Sequence, residues 1–279
     1  MNGPIALIMV GIAARYLPSA KRQTGKIDWI GTILSVLAMT SISYGLDGSP
    51  WPIPTLLISA VLWVAFIASQ GRVAHPTMPL EIFTDRERMA SYVSSLLFSA
   101  AAIGFWFYTP QFMQGVLGLT PFMTALGMVP MAILLFIVAV KARTFVDRWR
   151  NSKVMIFGFV TVLLSLAELA GVASRFANYW FLLLGTLGFA VGFALAFATL
   201  ATSGLARIRP EISGAASGVY NTARQFGGAL GLAIFAASTS SLTKIADVFG
   251  QAMLIGVGMT IVGLILVVTL IIPAEKAAK

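Results

Sequence analysis

Nine apolar runs follow one another along this chain, with only short polar linkers between them. In hydrocarbon every backbone N–H and C=O must be satisfied within the protein, which leaves helices and closed barrels as the spanning forms. The runs lie at about Met1–Leu17, Trp29–Leu46, Pro54–Ser69, Met89–Phe112, Pro121–Val140, Val154–Ala173, Tyr179–Leu205, Gly214–Ser240 and Phe249–Ile272. None shows the two-residue alternation of a barrel strand, so each is expected to be a helix. The first carries Arg15 near its end, and the second and third approach the ~17-residue lower limit for a span. The expected class is an all-α polytopic membrane protein with about nine transmembrane helices.

Composition closes the soluble alternatives. Apolar residues make up 58% of the chain and charged residues 10%, against roughly 45–50% and 25% in a soluble domain. A mean hydropathy of +0.89 leaves too little polar surface to cover a soluble fold. The net charge of +9 sits in short clusters between apolar runs, which marks membrane orientation and not a nucleic-acid face. There is no cysteine, and His75, in a polar loop before Pro76, is the single histidine. Disulfides and thiolate or histidine-rich metal sites are therefore ruled out. No HExxH, GxSxG or paired acidic motif is present, so the chain is not expected to be an enzyme or to carry a metal or cofactor. Its first expected partner is the lipid bilayer.

Orientation follows from the basic residues. Of the 19 Lys and Arg, 16 fall on one side of the alternating spans, in groups around Arg15–Lys26, Arg72–Arg88, Lys141–Lys153, Arg207–Arg209 and Lys276–Lys279. Arg175 and Lys244 alone fall on the other, and Arg224 lies within a span. Basic residues stay inside, so the C-terminus is expected in the cytoplasm of a multi-pass protein of the cell (inner or plasma) membrane. Nine spans then put the N-terminus outside. The odd count and the abrupt apolar start raise the expectation that the front of a longer protein lies upstream.

One span differs from the rest. GAASGVYNTARQFGGALGLAI, Gly214 to Ile234, is long enough to cross a bilayer yet carries Asn221, Arg224 and Gln225 near its middle. An arginine at that depth costs a few kcal/mol even on insertion scales, so it is expected to face protein or a watery cavity. Gly214 and Gly218 stand four apart, as do Gly227 and Gly231, with Gly228 beside them; such spacing lets helix backbones approach closely in lipid. At 3.6 residues per turn Ser217, Asn221, Arg224, Gly228 and Gly231 share one stripe. The patch either lines a path through a helical bundle or glues helices together.

These residues resemble a known family. The segment looks like the penultimate span of fourteen-span drug:proton antiporters of the major facilitator superfamily (EmrB/QacA type). MNGPIALIMVGIAARYLP resembles that family's sixth span, without the tryptophan-rich turn that precedes it there. YTPQFMQGVLGLTPFMTALGMVP, from Tyr108 to Pro130, is similar to the ninth-to-tenth span junction, with Gln114, Gly118 and Pro130 in place. LGFAVGFALAFATLATSGLARI, from Leu187 to Ile208, looks like the twelfth span entering a basic turn. The resemblance implies three parts. Residues 1–27 would be the last span of an N-terminal bundle with its basic loop. Residues 28–88 would be an extra helix pair and loop, and 89–279 the C-terminal six-helix bundle. It implies proton-coupled efflux of a hydrophobic or cationic small molecule by alternating access, with a proton gradient as energy source. It also implies a missing N-terminal half, through truncation or as a separately encoded partner that a non-transporting component would need.

Four further features stand beside that resemblance. KARTFVDRWRNSK, Lys141–Lys153, is similar to the superfamily's second cytoplasmic loop motif: Asp147 and Arg148 match a conformational lock, while Arg143 and Arg150 stand at the glycine positions. The same charges also serve as an orientation signal. Glu168, near the outer end of the sixth run, either binds a proton or cation or reaches the interface and is solvated. Phe98, Phe105 and Phe112 recur every seven residues with Tyr108 beside them, suiting either a wall for hydrophobic cations or helix packing. Trp51 and Trp180 are expected as interfacial anchors.

Overall fold

The structure, a computed structural model, describes residues 3–16, 28–46, 49–73 and 76–277. Lys21, Arg22, Lys26, His75 and Lys279 lie outside the described residues. The described residues form helices without a strand: α1 (Gly3–Tyr16), α2 (Trp29–Leu46), α3 (Pro52–Gln70), α4 (Arg86–Gly115), α5 (Pro121–Trp149), α6 (Asn151–Glu168), the short turn α7 (Ser174–Phe176), α8 (Tyr179–Gly204), α9 (Ser213–Thr239), α10 (Ile245–Leu266) and α11 (Ile272–Ala277). Six stretches among them are long and apolar enough to cross a membrane: Pro52–Gln70, Arg86–Gly115, Pro121–Trp149, Asn151–Gly171, Tyr179–Gly204 and Ile245–Ala274. Helix α2 is a shorter apolar helix, and α9 is long enough but diluted by its polar middle.

Local chemistry sets several starts. The Asp85 carboxylate accepts the Arg88 N–H at 3.0 Å and caps α4. Thr120 caps α5 ahead of Pro121, with its hydroxyl 3.2 Å from the Met123 N–H, and Asn178 caps α8 by accepting from Trp180 at 2.8 Å. Each satisfies a first-turn donor that the helix cannot.

The bundle is built around α4, which packs on α8, α9 and α10. Its seven-residue aromatic stripe points inward: Phe98 meets Phe159 of α6, with centroids 5.1 Å apart, Phe105 stacks on Phe189 of α8 at 3.7 Å, and Phe112 on Phe249 of α10 at 4.4 Å. Such pairs contribute about 0.5–1.5 kcal/mol each beyond burial. The seam between α6 and α8 depends on missing side chains from both helices. A Cβ on Gly158 of α6 would lie 2.7 Å from the Ala196 nitrogen of α8, and one on Gly192 would lie 2.7 Å from the Val162 nitrogen. Lipid supplies no hydrophobic drive between helices, so this backbone contact supplies much of the association.

The outside is as apolar as the inside. Along α5, Ile133, Phe136 and Val140 are exposed, and Trp51 and Trp180 stand exposed at helix starts. An apolar surface of that extent belongs in lipid.

Helices α2 and α3 form a separate hairpin. Ser59 donates to the Ala38 carbonyl at 2.9 Å, and Asp28 ties the base by accepting from Gly31 N at 2.8 Å, Gln70 Nε2 at 2.8 Å and Thr77 N at 3.3 Å. Burial raises the Asp28 pKa, but those hydrogen bonds outweigh it and hold the carboxyl below its ordinary value.

The expected loop Lys141–Lys153 is not a loop. Helix α5 continues to Trp149, and α6 begins at Asn151 after a single residue. At 29 residues α5 is about 43 Å long, beyond the ~30 Å hydrocarbon core, so its charged end projects into water as helix. Polarity ends at a membrane border; backbone helicity need not.

Candidate functional site

Helix α9 divides its faces sharply. Ala216, Tyr220, Gly227, Gly231 and Phe235 are buried. A Cβ on Gly227 would lie 2.7 Å from the Leu96 carbonyl carbon, and one on Gly231 would lie 2.6 Å from the Ala100 Cα, so α9 and α4 touch backbone to backbone. Gly214, Gly218 and Gly228 have nothing within 4 Å of such a Cβ. The packing face is therefore offset from the stripe read from the sequence: it takes in Gly227 and not Gly228, while Gly231 belongs to both.

The polar patch lies beside that seam. The half-buried Arg224 guanidinium sits 4.2 Å above the Phe197 ring of α8 and 6.0 Å from Tyr220. Its Nη1 donates to Asn221 Oδ1 at 3.2 Å, and Asn221 Nδ2 donates to the Ser217 carbonyl at 3.0 Å. The Arg224 Nε is buried without an acceptor, and no carboxylate pairs with this arginine among the described residues. A charge held by a ring face and one amide has donors to spare for an anionic or carbonyl-bearing ligand. Gln225 is not part of the cluster. It is exposed on the α2 side, lining a cavity of about 460 Å³ with Met39, Ile103 and Gly228.

The other predicted residues are dispersed. Phe105 is fully buried, and Tyr108 is buried with its hydroxyl 3.5 Å from Thr239 Oγ1 and its ring edge-on to Phe235. Both lie in the bundle core, since the α4 face that carries them is the one its neighbours cover. Gln114 is exposed near the C-terminal end of α4.

Glu168 lies in the α6–α8 seam, with its carboxylate in the space left by Gly185. Both oxygens are buried without a hydrogen-bond partner among the described residues. Immediately after it α6 widens into a π-helical turn, Leu169–Ala173. Gly185 and Phe197 are twelve residues apart on α8, so about 18 Å of helix separates Glu168 from Arg224.

Asp147 and Arg148 are exposed on the projecting end of α5, where Asp147 pairs weakly with Arg143 at 3.8 Å. They are helical, a correction to their expected place in a loop. Arg150, at the second glycine position of the motif, has φ 73° and ψ 149°. That region is essentially glycine's, so the turn keeps the conformation while bearing a strained arginine.

Sequence reasoning missed one charged cluster. Arg207, after α8, donates to Asp85 at 3.0 Å and pairs with Glu87 at 2.7 Å, and Arg209 pairs with Glu81. Burial raises the Asp85 pKa, but the Arg88 N–H and Arg207 outweigh it and bring it below the usual carboxylate value. Burial opposes the Arg207 charge, and the two carboxylates more than restore it. The signal was present in EIFTDRER, where three acids accompany the bases that orientation counting singled out.

A helical bundle with an apolar exterior, a polar membrane helix and charge gathered at one end defines a polytopic transporter-type membrane protein. The sequence profile of the Major Facilitator Superfamily matches residues 1–232, and the chain belongs to that superfamily. Membership makes it a transporter-family protein and not an enzyme. It is 29% identical over 249 residues to an uncharacterized MFS-type transporter of Mycobacterium tuberculosis, covering 86% of this chain and 43% of that protein. It is 28% identical over 303 residues to the cephamycin export protein of Amycolatopsis lactamdurans (98% and 60%). With the methyl viologen resistance protein of Salmonella typhimurium it shares 30% over 248 residues (84% and 49%). The chain thus spans about half the length of these curated relatives.

Proposed function

We propose that this chain is the C-terminal portion of a proton-coupled efflux antiporter of the fourteen-span type. Its relatives include proteins named for cephamycin export and methyl viologen resistance. In this reading residues 89–279 form one wall of an alternating-access cavity, 28–88 the extra pair, and 1–27 the last span of the other wall. The substrate is a hydrophobic or cationic small molecule, and a proton gradient drives export across the cell membrane.

The observation that carries the reading is Arg224, with Asn221, on a membrane helix beside a glycine seam and without a carboxylate partner among the described residues. Intramembrane charges of this kind mark transport paths. Glu168, without a hydrogen-bond partner among the described residues in the α6–α8 seam, is the candidate proton carrier; Gln114 and Gln225 are the exposed polar candidates for contact with a facing half.

The test is efflux of a fluorescent organic cation from cells making this chain alone or together with an upstream half. Export is expected only from the pair. In the pair, Arg224→Ala should abolish export with membrane abundance intact, and Arg224→Lys should restore little, because lysine lacks the planar fork. Full export by the chain alone as a monomer would refute the half-transporter reading. Collapse of abundance in Arg224→Ala would make the arginine a structural element instead.

A further inference from the structure

Between the α2–α3 hairpin and the first half of α9 runs a groove of about 870 Å³, lined by none of the polar transport candidates. Met39 of α2, Trp63 and Phe66 of α3 and Phe226 of α9 form its walls, and its polar lining is confined to hydroxyls such as Ser35 and Thr222. Among the described residues no charged side chain lines it, so an organic cation would find no countercharge from them there. Its floor is bare backbone at Gly214 and Gly218, where a Cβ would have nothing within 4 Å.

Length and charge narrow the occupant. From Gly214 to Phe226 the groove follows α9 for about 18 Å, close to one leaflet of a ~30 Å hydrocarbon core. At the end where α3 finishes and α4 and α9 begin, Arg72 and Arg86 are exposed. Neither has an ion pair among the described residues, whereas Arg207 and Arg209 at the same end are engaged with Asp85, Glu87 and Glu81. Apolar length in the groove, with Arg72 just past the end of α3 and Arg86 opening α4, suits a lipid tail below its phosphate.

We propose that this groove is a phospholipid site, with one acyl chain laid along Gly214–Phe226 and the phosphate held by Arg72 and Arg86. The chain fills the space between hairpin and bundle, where α2 meets α9 only narrowly. Lipid therefore couples the helix pair to α9. This inference is independent of the transport reading, and its readout is lipid retention.

The experiment purifies the 279-residue chain in detergent after loading with a phospholipid bearing a mid-chain diazirine. Retained lipid is counted by native mass spectrometry and crosslinks are mapped by peptide. One tightly held phospholipid is expected, with crosslinks concentrated on the peptides of Met39, Phe66 and Phe226. Filling the floor with Gly214→Leu and Gly218→Leu should lower retention about tenfold, the loss expected for displacing about two methylenes. Arg72→Gln with Arg86→Gln should lower it by a similar factor, about what two phosphate-facing charges contribute. Gly258→Leu, at an open position on α10, should leave retention unchanged. Helix content by circular dichroism checks that each variant folds. Crosslinks spread evenly over α5 and α10, or retention untouched by the paired leucines in a folded protein, would overturn the proposal.

Discussion

Two glycines three residues apart on α9 should respond oppositely to the same methyl group. In a helix interior Gly→Ala is intrinsically favourable by about 1 kcal/mol. At Gly228 nothing lies within 4 Å of the new Cβ, so the whole gain should appear. At Gly231 the methyl carbon would sit 2.6 Å from the Ala100 Cα, where carbon atoms in contact stay about 3.5–4.0 Å apart. The α4–α9 seam would have to open by about 1 Å. The obstructing atoms are backbone, so no rotamer relieves the clash. Overpacking costs about 1–3 kcal/mol, and the upper end applies where neither side can yield. The net for Gly231→Ala is then a loss of about 2 kcal/mol, and the two variants should differ by about 3 kcal/mol. Reversible unfolding in mixed micelles with increasing sodium dodecyl sulfate, followed by circular dichroism, measures both midpoints. Gly227→Ala, 2.7 Å from the Leu96 carbonyl carbon, should side with Gly231→Ala. If Gly228→Ala and Gly231→Ala shift the midpoint in the same direction, the α4–α9 seam is not the close contact described.

Three further outcomes are expected. Arg150→Gly should be more stable than Arg150→Ala by about 1–2 kcal/mol in the same assay, because both remove the side chain and only glycine accepts that φ and ψ without strain; equal stabilities would refute the strain. Asp85→Asn keeps a good cap but loses the ion pair, costing about 1 kcal/mol or less since the Arg207 side chain is 43% exposed and solvent screens it. The folded pKa of Asp85 is lowered, so its contribution is present above the unfolded value near ~4 and is lost as pH falls through the folded one. An acid titration should therefore be shallower below about pH 4 in the variant than in the native chain, and identical curves would refute the linkage. A reporter fused after Lys279 should be cytoplasmic and one inserted near Ser49 external; an external C-terminal reporter would refute the span assignment.

The helical class was legible from residues alone, because hydrocarbon allows a long apolar run few other forms and that constraint acts segment by segment. Segment limits held for α4, α8 and α9 to within about three residues. The end of α5 was misread as a loop because hydropathy reports where lipid stops and not where hydrogen bonding stops. The odd helix, α9, was also legible, since a charge within an apolar run stands out without any partner being known.

What no segment contains by itself is its neighbour. Five glycines of α9 carry similar spacing, yet only Gly227 and Gly231 meet α4, because spacing says a backbone can be approached and only packing says from which side. The same holds for Phe105, whose stripe is plain in the sequence but whose burial depends on Phe189, 84 residues away along the chain. The link from Arg207 to Asp85 spans 122 residues, and the empty oxygens of Glu168 depend on where Gly185 falls on another helix. Partition into lipid is a property of each segment, so sequence determined the class. Contact is a property of pairs, so the tertiary structure alone decided which polar residues met and which glycines were needed.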